Sequence, residues 1–274
     1  MAGKSKMRAT ASEKKTVESA SSNKSSKVSL RKVSKTAGII IGLVIVGSIA
    51  VLTTLMVLAN TTSLRSSRAE YEILREVTNS DTAAEYHEFN QSALDEEMRQ
   101  INHNYVGWLR IDGTSVDYPV VRGDDNERYL NTSFNGEESL AGAIFMDYRI
   151  HGDFLVYRPD ESIPHIILYG HNVPQGGMFS DLQRLFNDHF LEENRIITFI
   201  VDGVEIEFEI FSVRMTDIHD PAYFLDFDAI RAFPRSADRI NAPLHATQII
   251  TLSTCTRGGD DDARIIVQGY RLLG

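Results

Sequence analysis

Between Ala37 and Ala59 the chain reads AGIIIGLVIVGSIAVLTTLMVLA, 23 consecutive residues without a charged side chain. No other feature constrains the fold as strongly. A helix needs about 20 apolar residues to cross a bilayer, whereas the apolar region of a secretory signal runs to about 7–15. The ending Val57-Leu58-Ala59 also suits a signal peptidase. An uncleaved anchor and a cleaved signal both use such a segment, and the length favours the anchor over residues 37–59. Ten Lys/Arg and two acidic residues occupy positions 1–36, while only Arg65 and Arg68 follow closely on the other side. Positive charge is retained in the cytoplasm. The expectation is a single-pass protein of the cell membrane, with residues 1–36 cytoplasmic and residues 60–274 extracytoplasmic.

The charge divides at the same place. All eight lysines lie in residues 1–36, and residues 60–274 carry 18 arginines, 36 acids and no lysine. The basic end therefore reads as a tail, and no nucleic-acid partner is expected for the acidic remainder. Its Ser, Lys and Thr content, with few large apolar residues, predicts disorder. The chain as a whole is 42% hydrophobic, enough for a core, and its single cysteine excludes an internal disulfide or a multi-cysteine metal site. Asp260–Asp262 read as solvated charge, because a calcium site needs several more oxygens. No metal and no cofactor are expected.

Residues 60–104 read as a helical extension. Ala69, Ile73, Leu74 and Val77 recur at helical spacing, and Asp81-Thr-Ala-Ala-Glu85 offers a cap for a second helix running toward Gln100. From Tyr105 the texture changes to short β-suited runs separated by turns, at Val106–Ile111, Val116–Val121, Ala143–Tyr148, His165–Tyr169, Arg195–Val201, Val204–Met215, Thr247–Thr254 and Arg264–Tyr270. Asp202-Gly203 is a hairpin signature. Eight such strands predict a mainly β domain over residues 105–274, an antiparallel barrel or sandwich, with helical insertions at Phe179–Phe190 and Phe227–Ile240.

The lone cysteine closes one of these strands, in Thr251-Leu-Ser-Thr-Cys255, beside a polar loop. An extracytoplasmic thiol in that position is open to oxidation unless it is used. Use as a nucleophile needs a positive neighbour, a proton-transfer group and a donor for an oxyanion. His171 ends the apolar run His165-Ile-Ile-Leu-Tyr-Gly-His171, where Gly170 allows close backbone approach, and Arg264 opens the last strand across the loop from Cys255. A thiol, an imidazole and a guanidinium are thus expected at strand ends of one sheet.

TLSTC with arginine nine residues on, and YGHN about eighty residues upstream, resembles the sortases of Gram-positive bacteria. YVGWLRIDGTSVDYPVVRGDDNERYLN (105–131), Gly142-Ala-Ile-Phe-Met-Asp-Tyr-Arg149 and Asp262-Ala-Arg264 resemble class B in particular. The resemblance covers roughly residues 61–274. It implies an eight-stranded sortase-type barrel with two N-terminal helices, and a cysteine transpeptidase of the thiol protease class. Cys255 is then the nucleophile toward the Thr carbonyl of an NPxTx-like sorting signal, His171 the proton-transfer group, and Arg264 the oxyanion or substrate-backbone ligand. Asn126, Leu130, Ser253 and Thr254 line the substrate groove. The implied partners are surface proteins bearing the signal and a peptidoglycan precursor amine of the cell wall. Two alternatives remain beside wall anchoring: a pilin-polymerising sortase, and a thiol peptidase acting mainly by hydrolysis.

Overall fold

The computed structural model describes residues 35–78, 87–151, 164–226, 246–256 and 262–271. Residues 1–34 of the tail and the insertion Phe227–Ile240 lie outside the described residues, as does the expected cap at Asp81. By contacts the chain forms two units, Met1–Leu52 and Thr53–Gly274.

The apolar run lies in one continuous helix, α1 (Lys35–Thr78), which does not stop where the polar residues Asn60–Ser63 begin. That stretch contains neither Gly nor Pro, and its two threonine hydroxyls turn back onto the helix. Thr61 Oγ1 donates to Leu58 O at 2.9 Å and Thr62 Oγ1 to Ala59 O at 2.8 Å, so polarity enters without costing the helix its hydrogen bonds. One window of this helix is long and apolar enough to cross a membrane. In the second unit, the docking face of α1 is Leu64, Ser67, Tyr71 and Leu74. The expected stripe is displaced from it: Leu74 is shared, but Ala69 is exposed and Ile73 is 61% exposed. Tyr71 sets the phase. Its ring packs edge-on against Tyr118 at 5.1 Å and its hydroxyl donates to Gly142 O at 2.9 Å. A second helix, α2 (His87–Ile101), follows.

Eight strands form a closed barrel: β1 (Tyr105–Arg110), β2 (Asp117–Val121), β3 (Ile144–Met146), β4 (His165–Tyr169), β5 (Ile196–Val201), β6 (Val204–Asp217), β7 (Gln248–Cys255) and β8 (Ala263–Arg271). Their order around the barrel is β1-β2-β3-β4-β7-β8-β6-β5. Most pairs are antiparallel as expected, but β2–β3 and β4–β7 are parallel. Each parallel pair is joined by a long crossover, which a hairpin turn could not supply. The β5–β6 hairpin does turn at Asp202-Gly203, both at positive φ (51° and 77°). The expected helix over Phe179–Phe190 is instead a 3₁₀ turn (Ser180–Phe186) followed by a short α3 (Asp188–Glu193), divided by Asn187, whose side chain caps Phe190 N.

Period-two alternation sorts β4, β7 and β8 into two faces. Ile166, Leu168, Ile250, Leu252 and Val267 join the apolar core with Phe199 and Phe208, each fully buried. Burying one such side chain contributes about 1.5–3 kcal/mol. On the opposite face the register places Tyr169 beside Ser253, Thr251 beside Gln268, and Cys255 beside Arg264. The chemistry-bearing residues share that second face.

Candidate active site

Cys255 is the last residue of β7 and is exposed. Arg264 sits directly across from it on β8, a pairing that holds the two Cβ atoms about 5 Å apart. His171 lies two residues beyond β4, the parallel neighbour of β7. All three line one cavity of about 350 Å³, together with Asn126, Leu130, Tyr169, Tyr223, Ser253 and Thr254.

His171 is oriented by a backbone group. Its Nε2 lies 2.7 Å from Leu130 O. A carbonyl only accepts, so Nε2 carries the proton and Nδ1 is the basic nitrogen of the neutral ring. The carbonyl itself is fixed from behind. Leu130 ends a 3₁₀ turn, Arg128–Leu130, whose entry is capped by Asp125 Oδ1, accepting from Glu127 N and Arg128 N. Gly142 passes close by at φ +60°, where a Cβ would stand 2.4 Å from Tyr129 O and 2.8 Å from Leu130 O. Only glycine fits there. Gly170 is likewise crowded, a Cβ meeting Ile144 at 2.4 Å.

Two further contacts tie the histidine segment in place. Asn172 Nδ2 donates to Cys255 O at 3.0 Å, coupling the β4 exit to the cysteine backbone. Arg68 of α1 donates to the carbonyls of Gln175 and Gly176 in the loop that follows. The far wall is aromatic. Tyr223 stacks on Tyr169 at 6.3 Å, and its hydroxyl meets Ser253 Oγ at 2.8 Å. Burial pushes the Tyr223 phenol up, and the nearby Arg264 guanidinium partly offsets this. Tyr169 in turn donates to Asp147 Oδ2 at 2.9 Å. Burial pushes the Asp147 carboxyl up, but the bidentate Arg149 and the Tyr169 hydroxyl outweigh it and hold it below the usual range.

Over residues 109–272 the chain matches the family model described as Sortase domain. A sortase B of Listeria monocytogenes is 31% identical over 183 residues, 63% of this chain and 72% of that protein. A sortase B of Staphylococcus aureus is 31% identical over 187 residues, 65% and 74% respectively. The chain belongs to the sortase family, in class B. Among solved structures, a S. aureus sortase B–substrate complex is similar at TM-score 0.62 and 28% identity, covering 76% of this chain and 97% of that one.

The sortase cavity gathers all seven residues expected from the sequence, with different parts of each. Asn126 spends its amide oxygen on Tyr148 N at 3.0 Å. Leu130 contributes its carbonyl to His171 as well as lining the cavity. Thr254 lines the cavity as expected, but with little exposed surface. It alternates away from Ser253 and Cys255 and is 2% exposed, and its Oγ1 has no hydrogen-bond partner among the described residues. Tyr169, Asn172, Tyr223 and Gly142 were not singled out individually from the sequence. Tyr169 and Asn172 flank Gly170-His171 and Gly142 opens the motif Gly142–Arg149, so those segments carried a signal, while nothing marked Tyr223.

Proposed function

We propose that this class B sortase is a membrane-anchored transpeptidase that works through a thioester on Cys255. The observation that carries the reading is the convergence of Cys255, Arg264 and His171 on one cavity, with the histidine tautomer set by Leu130 O.

The Cys255 thiol passes its proton to Nδ1 of His171, and the resulting thiolate attacks the Thr carbonyl of an NPxTx-like signal. Arg264 receives the oxyanion, in the position where fixed donors contribute most. His171 gives a proton from Nδ1 to the departing amine, the C–N bond breaks, and the acyl group stays on sulfur. A peptidoglycan precursor amine then attacks the thioester, Nδ1 takes back a proton, and Cys255 leaves as the thiolate. One amide is broken and one formed, so the outcome depends on the amine reaching the thioester before water. Holding the amine in place can favour it by several kcal/mol (about 7 or more in well-aligned systems). Residues 37–59 anchor the enzyme in the membrane, residues 1–36 are cytoplasmic, and residues 60–104 and 105–274 form the extracytoplasmic extension and catalytic barrel.

The test is acid-quenched mass spectrometry of the full chain in detergent, incubated with Asn-Pro-x-Thr-x peptides. A mass increase localised to Cys255, absent in Cys255→Ala, is expected. Peptide cleavage that persists in Cys255→Ala would overturn the assignment.

A further inference from the structure

Thr251 opens the Thr251–Cys255 motif, yet it lies four residues before the cysteine, about 13 Å along the strand. It is fully buried and lines no part of the cavity. What it touches is a chain of buried polar groups on the same face of β7. His165 Nε2 lies 2.7 Å from Thr251 Oγ1, and Gln268 Nε2 donates to that oxygen at 3.0 Å. Gln268 Oε1 accepts from Arg214 NH1 at 2.7 Å. Arg214 NH2 donates to Asp220 Oδ1 at 2.7 Å. At the other end His165 Nδ1 lies 2.6 Å from Phe224 O.

Elementary chemistry gives this chain one direction. Phe224 O can only accept, so His165 carries its proton on Nδ1. Nε2 of the neutral ring then accepts from the Thr251 hydroxyl, which accepts from Gln268, which accepts from Arg214. The direction requires a neutral imidazole, and burial pushes His165 down to about 4. Both ends of the chain finish in the same five residues, Asp220–Phe224. Asp220 caps the 3₁₀ turn Pro221–Tyr223 by accepting from Ala222 N at 2.7 Å, and Arg149 NH2 reaches Tyr223 O at 3.2 Å. Core burial in this segment is confined to Ala222, 0% exposed, and part of Tyr223, while Phe224 is 39% and neighbouring Ile218 42% exposed. Ile218 and Tyr223 nevertheless form one wall of the cavity.

We infer that Thr251 is a positioning residue: through His165, Gln268 and Arg214 it clamps Asp220–Phe224, so that Tyr223 and Ile218 stand as a preformed wall for the sorting-signal peptide. This deepens the proposed function and rests on it only for the identity of the peptide. The clamp governs substrate binding and leaves the thiol chemistry alone.

Thr251→Val keeps the shape and removes the hydroxyl, and Thr251→Ser restores it. Both are made in the full chain in detergent. Hydrogen exchange by mass spectrometry is read together with the rate of Cys255 alkylation by iodoacetamide. In Thr251→Val, amides over Asp220–Phe224 exchange about tenfold faster while those of β7 and β8 do not change. Alkylation stays within about twofold, and KM for Asn-Pro-x-Thr-x peptides rises about fivefold with little change in kcat. Thr251→Ser returns each value toward the parent. Gln268→Leu, which breaks the next link, reproduces the local pattern. Unchanged exchange over Asp220–Phe224 overturns the inference, and so does a fall in kcat and alkylation at constant KM. Faster exchange across the whole barrel in both Thr251→Val and Gln268→Leu also overturns it, because Thr251 is then a barrel residue and not a clamp. If the parent chain turns over no peptide, the failure belongs to the proposed function, and exchange with alkylation still decides the clamp.

Discussion

Replacing His165 with glutamine removes a buried imidazole that must stay neutral, and the consequence is a defined loss of acid sensitivity. His165 is 4% exposed, and burial pushes its pKa down to about 4 in the folded chain. In the unfolded chain it titrates near 6.5. Between these values the unfolded state holds a proton that the folded state does not, so stability rises with pH across the window. The contribution is complete above about pH 6.5 and is lost as pH falls toward 4. At 1.36 kcal/mol per unit the full span is about 3 kcal/mol, and about 2.5 kcal/mol has gone by about pH 4.5. Other groups also titrate at low pH. Burial raises the carboxyls of Asp95 and Glu70, so they take up protons first in the folded state and act with the opposite sign. Asp147 is buried and Asp220 half-buried, but hydrogen bonds, including those from Arg149 and Thr216, hold both low, so their contribution falls away as pH drops through about 3.8. Parent and variant share all of these, and they share the Asp147 and Arg149 charges near position 165. Their difference therefore isolates His165. Trp108, the only tryptophan and 4% exposed, reports unfolding by fluorescence in urea. Between about pH 7 and 4.5 the parent should lose about 2.5 kcal/mol more than His165→Gln. Parallel losses, within about 0.5 kcal/mol, would refute the reasoning.

Three further outcomes follow from the site. Gly142→Ala forces a side chain into a left-handed conformation, costing about 1–2 kcal/mol, and drives it against two carbonyls. Steady-state kinetics should show kcat falling about tenfold or more as Leu130 O leaves His171, while calorimetry in a Cys255→Ala background shows peptide affinity nearly unchanged. Asn172→Ala removes the hydrogen bond to Cys255 O, a loss of about 1 kcal/mol, and should lower kcat with KM unaltered. Thr256→Lys places a primary amine next to the thioester, in a region whose cations are all arginine. Guanidinium is too basic to compete as a nucleophile and lysine is not. Intact-mass spectrometry should find a peptide adduct on the introduced amine that survives hydroxylamine. Full turnover without adducts there and at other lysines placed around the groove would refute the idea that the absence of lysine from residues 60–274 spares the enzyme self-acylation.

Strand positions were legible because alternation and turn residues are local signals, and the eight strands fall within a few residues of where the pattern put them. The parallel pairings β2–β3 and β4–β7 were not, since alternation is the same for parallel and antiparallel partners. The same limit hid the Thr251 clamp, which exists only because β4 lies beside β7 and brings His165 to Thr251. Asn60–Ser63 read as the end of an apolar segment, yet the Thr61 and Thr62 hydroxyls bond back to the helix and α1 runs on. Within the site, Cys255, His171 and Arg264 were readable as chemistry at strand ends. Leu130 was named as a groove residue, but the contact that orients His171 is a carbonyl, which every residue carries and no sequence marks. Counting by two along β7 puts Thr251, Ser253 and Cys255 on one face and Thr254 on the other, although Thr254 still lines the cavity.

In the proposed reaction an acyl group passes through Cys255 to an amine. The most direct measurement follows the full chain in detergent, with an Asn-Pro-x-Thr-x peptide that acylates it, and with diaminopimelate, lysine or oligoglycine added after the adduct has formed. The account predicts that one amine discharges the Cys255 adduct faster than water does and appears joined to the peptide through its Thr carbonyl. Discharge at the same rate with every amine as with none, yielding only the free acid, would contradict it.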